Sequence, residues 1–120
     1  GGVKGAIVNI SSQAGHMATK GRPVYTLTKF AVEGMTKAMA VDLAPNGIRV
    51  NSVCPTFIET EMTRPSLEDP KFRARVLSRI RLGRIGAVED LMGAVVFLAS
   101  DASALMTGAS LVVDGGWTAG

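Results

Sequence analysis

Short runs of aliphatic and β-branched residues alternate with longer helical patterns along this chain, and this alternation constrains its fold more than any other feature. Residues 6–10, 48–53 and 111–113 have the composition of strands, and the first of them is expected to be buried. Apolar residues recur at helical spacing over 24–43, after Pro70 and after Glu89. Because strands that alternate with helices form parallel α/β units, we predict three parallel strands and about three helices.

Local signals place the helix boundaries. The turn-forming residues 45–47 end the first helix, and Asp69 supplies an N-cap before Pro70 at the first helical position of the second. Glu89 and Asp90 suit the N-terminal end of the third helix. The first helix has a broad apolar face, so we expect it to be covered on more than one side. Residues 56–64 show no clear period and are predicted to form an ordered loop.

The composition is that of a globular domain. The chain has 120 residues, of which 47% are hydrophobic and 19% charged, so we expect one domain at most and no disorder. No apolar run is long enough to span a membrane, and no secretory signal is visible. The single cysteine, Cys54, cannot build a disulfide framework, and we therefore expect a reducing, cytoplasmic setting.

Positive charge is concentrated in one part of the sequence. The net charge is +3, and seven of the thirteen basic residues lie in what we call the basic segment, residues 64–84. A solvated helix face or a lip for an anionic substrate explains this concentration. Nucleic-acid binding is a third interpretation, but Glu68 and Asp69 lie in the same segment and only Phe72 there is able to stack on a base. No nucleic-acid partner is predicted.

Tyr25 and Lys29 are the residues that most directly indicate a catalytic site. Four positions apart on a helix, they share a face, with β-carbons about 6 Å apart. Tyrosine is a poor acid–base group at neutral pH because its ordinary pKa is about 10, but a nearby ammonium favours the phenolate and brings that pKa toward the working range. Ser12 follows the first strand, at the sheet edge where open parallel sheets bind ligands, so its hydroxyl is placed to hold a substrate carbonyl beside Tyr25.

The run from Gly5 to Ser12, with Tyr25 thirteen residues further on and then Lys29, resembles the active-site segment of the classical short-chain dehydrogenase/reductase family. The similarity continues in the family's order and spacing through residues 46–53, 55–62, 83–86, 107–108 and 113–116. It implies an α/β fold, the C-terminal half of a Rossmann-like, doubly wound parallel sheet. Within the family the chain is similar to 3-oxoacyl-[acyl-carrier-protein] reductases and to sugar-acid or polyol dehydrogenases, and residues 114–119 favour the second group.

The resemblance implies catalytic roles for three residues. Tyr25 is expected to be the general acid in carbonyl reduction and the base in alcohol oxidation. Lys29 is expected to lower the pKa of Tyr25 and to bind the nicotinamide ribose. Ser12 is expected to position the substrate oxygen. Ser11 is the less favoured serine, because the thirteen-residue spacing to Tyr25 fits Ser12.

Two further polar residues follow Ser12 in the loop that resembles the family's pocket wall. Gln13 and His16 are candidate substrate contacts there, or else solvated loop residues. His16 is the only histidine, and one imidazole does not make a metal site, so no metal is predicted. The basic segment lies at the position where the family carries its substrate lid. Its positive charge suits either an anionic substrate or a solvated lid helix.

The resemblance also implies a nicotinamide cofactor, NAD or NADP. Thr56 departs from the family pattern, because glycine is common there, and this puts the path of the loop in doubt. The backbone of Ile58 and the side chain of Thr60 are expected near the carboxamide. The residues expected to bind the cofactor are Tyr25, Lys29, Pro55, Thr56, Ile58 and Thr60.

The sequence lacks the other half of such a site. A dinucleotide cradle needs a glycine-rich turn after a strand, and no Gly-x-Gly pair occurs in the chain. Asn9 lies within a strand and does not match the family's catalytic asparagine. We therefore interpret residues 1–120 as the catalytic and substrate half of a single Rossmann-like domain, with the N-terminal cofactor-binding half absent. An unpaired sheet edge is expected beside the first strand.

Two functions from different classes remain. The first is an NAD(P)-dependent oxidoreductase that transfers a hydride between nicotinamide and a small carbonyl or secondary alcohol, with this chain inactive on its own. The alternative is a non-catalytic remnant that acts as an oligomerisation or interaction module, because in the family the helix over 24–43 packs between subunits. The resemblance implies a homo-oligomer, a tetramer or a dimer, and burial of Trp117 against a neighbouring subunit or the pocket rim.

Overall fold

The computed structural model describes residues 4–120, and in it three strands form one parallel sheet. The strands are β1 (Gly5–Ile10), β2 (Ile48–Pro55) and β3 (Ser110–Val113), in the order β1-β2-β3. Both neighbouring pairs are parallel, with Ile7 opposite Val50 and Val53 opposite Leu111. Parallel neighbours require crossover connections, and helices supply both of them. The predicted α/β fold and its three strands are confirmed.

The described residues form four α-helices, one more than predicted. They are α1 (Pro23–Leu43), α2 (Arg64–Leu67), α3 (Pro70–Arg79) and α4 (Glu89–Ala99), of which α1 and α4 pack against the sheet. The additional helix, α2, is a single turn that begins where the predicted loop ends. The predicted cap of α3 is confirmed, because the Asp69 carboxylate accepts a hydrogen bond of 3.0 Å from the Lys71 amide. Short 3₁₀ turns occupy Gln13–Gly15, Ala44–Asn46, Asp101–Ser103 and Trp117–Ala119.

The core is centred on β2, the middle strand. Val50, Val53 and Cys54 have no exposed surface, and Leu98 of α4 is equally buried. A middle strand is covered by helices on both faces and paired on both edges, which is why it supplies the most buried residues. The strand also carries Arg49, whose guanidinium ties the end of α4 and the following turn to the sheet. It donates to the carbonyls of Leu98, Ser100 and Met106 and to the hydroxyl of Ser103.

The expectation that α1 has its apolar face covered is wrong for the described chain. The buried side chains of α1 are Glu33, Thr36 and Ala40, whereas Leu27 is 68% and Val41 75% exposed. Helical periodicity shows that an apolar face exists but does not say what covers it. The face that packs on the sheet is partly polar, because the β2 side chains that it meets are polar as well.

The expected burial of β1 is also wrong. None of its residues is fully buried, and Ile10 at its end is 54% exposed. The physical reason is the position of the strand, since among residues 4–120 it pairs with β2 alone. Within the same range, no helix is both long and apolar enough to cross a lipid bilayer.

Candidate active site

Ser12 and Tyr25 meet at the carboxyl end of the sheet. Ser12 follows β1 and caps the 3₁₀ turn Gln13–Gly15, and Tyr25 lies in the first turn of α1, which Pro23 begins. The Tyr25 hydroxyl donates to Ser12 Oγ at 3.3 Å. Ser12 is 6% exposed and Tyr25 is half-buried, so the pair lies just below the surface at the carboxyl edge of the sheet, where open parallel sheets bind ligands.

Two local hydrogen bonds fix the Ser12 hydroxyl. Its oxygen accepts from the Ala14 amide at 3.1 Å, and its proton is donated to Gln13 Oε1 at 2.8 Å. Gln13 is itself 8% exposed, so the structure places its side chain against Ser12 and away from open solvent. The predicted substrate contact of Gln13 stays a prediction. The structure assigns it a contact with the serine that is expected to hold the substrate oxygen.

Two cationic side chains lie close to the Tyr25 ring. Lys29 Nζ is 5.6 Å from the ring centroid, as expected for a residue four positions later on the helix. The guanidinium carbon of Arg22 lies closer, 4.2 Å from the centroid, in the range of a cation–π interaction. Arg22 was not predicted as a site residue. Arg22 lies three positions before Tyr25 at the start of a helix, and this spacing is the sequence signal that indicates a contact between the two side chains.

The residues expected at the nicotinamide form the end of β2 and the loop after it. Pro55 is the last residue of β2, and the Thr56 amide donates to the Val113 carbonyl at 3.3 Å, which extends the pairing with β3. Among the described residues, no residue other than glycine has a positive φ, so Thr56 replaces the usual glycine without backbone strain. Thr56 Oγ1 is buried and has no hydrogen-bond partner within residues 4–120.

The loop beyond Thr56 is held by hydrogen bonds rather than by regular structure. Ile58 forms a β-bridge with Gly86, and the Glu59 amide donates to the Gly86 carbonyl at 2.8 Å. The Thr63 hydroxyl donates to the Ile58 carbonyl at 2.6 Å and accepts from the Thr60 amide at 2.9 Å. Thr63 was not predicted, and its threonine spacing of three from Thr60 is the sequence signal for such a turn.

An aromatic cluster joins this loop to the basic segment and to the end of the chain. The Phe57 ring lies 5.7 Å from Phe72 of α3 and 5.8 Å from Trp117, centroid to centroid. Both distances are typical of favourable aromatic pairs. Trp117 therefore packs beside the loop that is expected to border the pocket, and its predicted contact with a neighbouring subunit stays a prediction.

Part of the charge of the basic segment is neutralised within the chain. The two terminal guanidinium nitrogens of Arg84 donate to the Asp90 carboxylate at 2.7 Å, and Asp90 also accepts from the Ala87 amide at 2.8 Å. The hydrogen bonds from Arg84 and Ala87 hold the pKa of Asp90 far below its usual value. Arg64 lies 4.0 Å from Glu59. These pairs lower the net positive field that the segment presents.

His16 lies against a buried polar cluster between α1 and the sheet. Its Nε2 is 3.4 Å from Cys54 Sγ and 3.7 Å from Glu33 Oε2. The sequence predicted a substrate contact for His16, and that contact stays a prediction. Neither Glu33 nor Cys54 was predicted as a site residue, because they are seventeen and thirty-eight positions from His16 and no local pattern links them.

Glu33 is buried, but its surroundings favour the ionised form of its side chain. Burial raises its pKa, but hydrogen bonds from Ser110, Cys54 and Ser52 outweigh that effect, so the pKa of Glu33 lies below its usual value. Burial and the neighbouring Glu33 raise the pKa of the Cys54 thiol to about 11. The thiol therefore keeps its proton near neutral pH and donates it to Glu33 Oε1 at 3.1 Å.

The structure shows a parallel α/β sheet with a serine, a tyrosine and a lysine at its carboxyl edge. Comparison with known proteins identifies the family to which such a chain belongs. The family described as Enoyl-(Acyl carrier protein) reductase matches residues 2–118. The chain belongs to the short-chain dehydrogenase/reductase family. The proposed Rossmann-like character of the sheet is confirmed by the solved structures that it matches.

Individual relatives show how much of a family member the chain represents. It is 47% identical over 116 residues to D-erythrulose reductase of Gallus gallus and 46% identical over 118 residues to L-xylulose reductase of Mus musculus. These alignments cover 97% and 98% of this chain but 47% and 48% of the relatives. A gluconate 5-dehydrogenase from Burkholderia cenocepacia, solved with NADP and tartrate, superposes with a TM-score of 0.92 at 40% identity, covering 98% of this chain and 46% of that one. The chain thus spans about half the length of the relatives it matches.

Proposed function

We propose that these residues form the catalytic half of an NAD(P)-dependent oxidoreductase that interconverts a small carbonyl compound and a secondary alcohol. One observation carries the proposal: the Tyr25 hydroxyl lies 3.3 Å from Ser12 Oγ at the ligand-binding edge of a parallel sheet. Lys29 lies on the same face of α1, 5.6 Å from the Tyr25 ring. Ser12, Tyr25 and Lys29 are the proposed catalytic residues.

The proposed chemistry is a proton transfer at the substrate oxygen. In the reducing direction the Tyr25 O–H bond breaks as an O–H bond forms on that oxygen, and the reverse transfer accompanies alcohol oxidation. Ser12 holds the oxygen beside Tyr25, and its own orientation is fixed by Ala14 and Gln13. The Lys29 ammonium stabilises the negative charge that develops on the phenol oxygen. A bound nicotinamide supplies the hydride-exchanging carbon.

The residues present fit the nicotinamide end of such a cofactor. Thr56 Oγ1, just beyond the carboxyl end of β2, is buried without a hydrogen-bond partner within residues 4–120, and we propose that a polar group of the cofactor pairs with it. Pro55, Ile58 and Thr60 border the same loop. The residues proposed to hold the nicotinamide and its ribose are Tyr25, Lys29, Pro55, Thr56, Ile58 and Thr60. The phosphate-binding turn is proposed to belong to a cofactor-binding half outside these 120 residues.

Polyol-type sugars and sugar acids are the proposed substrate class, ahead of 3-oxoacyl thioesters. Three of the relatives are named for D-erythrulose, L-xylulose and gluconate, and each of these compounds carries several hydroxyl groups. Gln13 and His16 are the proposed substrate-facing residues of the pocket wall. Arg22 adds a guanidinium beside Tyr25, which suits a substrate that carries a carboxylate.

The assembly is proposed to be a homo-oligomer, a dimer or a tetramer, in the cytoplasm. Large apolar side chains stay exposed on α1 and α4, among them Leu27, Phe30 and Val96. Such a surface marks a protein–protein contact. The same surface is what the non-catalytic interaction module would use. The Ser12–Tyr25 hydrogen bond favours the enzyme, because an interaction module has no need of it.

A binding and turnover experiment tests the proposal. Protein expressed from the complete reading frame that encodes these residues is checked by intact mass, titrated with NADPH and NADH by fluorescence, and assayed with L-xylulose, gluconate and a 3-oxoacyl thioester. The 120-residue chain serves as the matched control and is expected to bind neither cofactor. Cofactor-dependent turnover of the sugar substrates supports the enzyme. A complete protein that binds neither NADPH nor NADH supports the interaction module instead.

A further inference from the structure

Three metal-ligating side chains from three different parts of the fold converge beneath the site of Ser12 and Tyr25. His16 follows the first 3₁₀ turn, Glu33 lies in the middle of α1, and Cys54 is near the end of β2. Their Nε2, carboxylate and Sγ atoms all lie within 4.8 Å of one another. Cys54 is fully buried, the side chain of Glu33 is 9% exposed and that of His16 is 34% exposed. The cluster is therefore enclosed, with one side open to solvent.

The distances between these atoms are near those of three corners of a tetrahedral zinc site. Bonds of about 2.0–2.2 Å to nitrogen or oxygen and about 2.3 Å to sulfur place the ligand atoms roughly 3.3–3.7 Å apart in a tetrahedron. His16 Nε2 lies 3.4 Å from Cys54 Sγ and 3.7 Å from Glu33 Oε2, and Cys54 Sγ lies 3.1 Å from the other carboxylate oxygen, Glu33 Oε1. With one donor atom taken from each residue, the three atoms lie within 4.8 Å of one another, so metal binding requires the carboxylate to turn one oxygen toward both partners.

We propose that His16, Glu33 and Cys54 bind a divalent transition-metal ion, with Zn²⁺ the best match to the mixed nitrogen, oxygen and sulfur donors. On binding, the Cys54 S–H bond breaks, a sulfur–metal bond forms and the proton leaves to solvent. A thiolate, a carboxylate and a neutral imidazole around Zn²⁺ give a site with no net charge. That balance matters here because an unpaired charge at a buried carboxylate and thiolate would be costly.

Polar groups around the three ligands form an outer shell. Ser52 donates to both oxygens of Glu33, at 2.9 and 3.0 Å, and Ser110 donates to Oε2, so the carboxylate is held from behind. The Ser11 hydroxyl lies beside the carboxylate as well and contributes to lowering the pKa of Glu33. A Cβ at Gly15 would lie 3.2 Å from Ser11 Oγ and 2.8 Å from Glu33 Cγ, which places these two side chains together. A water molecule would complete the fourth position of a tetrahedral site.

The site would link three segments that carry the proposed catalytic residues. The loop after Ser12, the helix of Tyr25 and Lys29, and the strand that leads into Pro55 each supply one ligand. A metal there would fix these segments relative to one another. The sequence predicted no metal because it contains a single histidine, whereas the structure adds a carboxylate and a thiol to that imidazole. The inference does not depend on the proposed function, because metal binding is measured without turnover.

Cobalt substitution tests the proposal directly. Metal-free protein from the complete reading frame is titrated with Co²⁺ and followed by absorbance. We expect one equivalent to give a sulfur-to-cobalt charge-transfer band together with the strong visible bands of four-coordinate Co²⁺, and we expect Zn²⁺ to abolish both. Cys54→Ser should remove the charge-transfer band. His16→Gln, which changes a side chain that is 34% exposed, should weaken Co²⁺ binding at least about tenfold.

A matched variant separates ligands from their surroundings. Ser52→Ala keeps all three ligands, so its charge-transfer band should persist while binding weakens about tenfold. Far-ultraviolet circular dichroism checks that each variant is folded. Absence of the band in the unsubstituted protein, or a band that persists unchanged in both Cys54→Ser and His16→Gln, overturns the proposal and leaves a cluster joined by hydrogen bonds alone.

Discussion

The Tyr25 hydroxyl donates a hydrogen bond to Ser12 Oγ over 3.3 Å, joining the first turn of α1 to the carboxyl end of β1. Ser12 has no freedom to turn away, because the Ala14 amide and the Gln13 side chain hold its oxygen and its proton. A substrate oxygen between the two hydroxyls would replace this one long hydrogen bond with two. The arrangement is therefore organised before any substrate binds, which is the geometry that proton transfer requires.

Ser12→Ala should lower kcat about 100-fold or more, because it removes the group that holds the substrate oxygen and leaves the Ala14 amide without its acceptor. Steady-state kinetics with L-xylulose measure the effect. Ser11→Ala is the matched control one residue earlier, and its effect on kcat should be much smaller. If Ser11→Ala lowers kcat as far as Ser12→Ala, the assignment of the substrate oxygen to Ser12 is wrong.

Arg22→Gln should raise KM for a carboxylate substrate such as gluconate about tenfold, while KM for the uncharged L-xylulose changes little. The reason is the position of the guanidinium, 4.2 Å from the centre of the Tyr25 ring, where it would meet an anionic group on a bound substrate. The ratio of kcat/KM for the two substrates is the measurement. Arg22→Lys, which retains the charge, should restore part of the preference. An equal rise in KM for both substrates would contradict this role.

Glu33 should make folding stability dependent on pH in the acid range. Although burial raises its pKa, hydrogen bonds from Ser110, Cys54 and Ser52 bring the folded-state pKa below its usual value. The unfolded chain therefore binds the proton more readily, so this stabilisation is complete above the usual pKa and is lost as pH falls through the folded value. Melting temperatures of metal-free protein from pH 7 down to pH 3 should fall less steeply in Glu33→Gln.

Glu61→Gln serves as the control for that series, because Glu61 is an exposed residue in the loop before α2. Its melting temperatures should follow those of the unsubstituted protein at every pH. An unchanged slope in Glu33→Gln would mean that the carboxylate does not couple to folding, against the hydrogen bonds seen here.

Gly115→Ala should destabilise the fold by about 1–3 kcal/mol. Gly115 has a φ of +61°, and a Cβ there would lie 2.6 Å from Ile80 Cγ2. Urea denaturation gives the free energy of unfolding. Gly83→Ala is the matched variant, because Gly83 also has a positive φ, +78°, but has nothing within 4 Å of a Cβ. It should cost less, and equal losses would show that the contact with Ile80 adds nothing.

Much of the fold follows from local signals in the sequence. Pro23 and the turn after Leu43 bound α1, and Asp69 caps α3, because each acts on the backbone within a few residues. The Ser12–Tyr25 pair was also predictable, since strand order and helix spacing bring both residues to the sheet edge. The single turn of α2 was missed because four residues are too few to show a period.

The parts that were missed depend on tertiary packing. Periodicity along α1 identified apolar residues but not that Glu33 and Thr36 face the sheet, because their partners Ser52 and Asn9 lie on other elements. The grouping of Glu33 with His16 and Cys54 is of the same kind. No local sequence pattern predicts this grouping, since three separate segments must fold together before the three side chains come into contact.

Tyr25 is proposed to transfer the proton in a nicotinamide-dependent reaction. The most direct measurement compares NADPH-dependent reduction of L-xylulose by the unsubstituted protein and by Tyr25→Phe, both expressed from the complete reading frame, alongside NADPH affinity. Loss of the hydroxyl with the ring retained should lower kcat about 100- to 10,000-fold and leave NADPH affinity within a factor of about three. Turnover that persists in Tyr25→Phe at the unsubstituted rate would contradict the account.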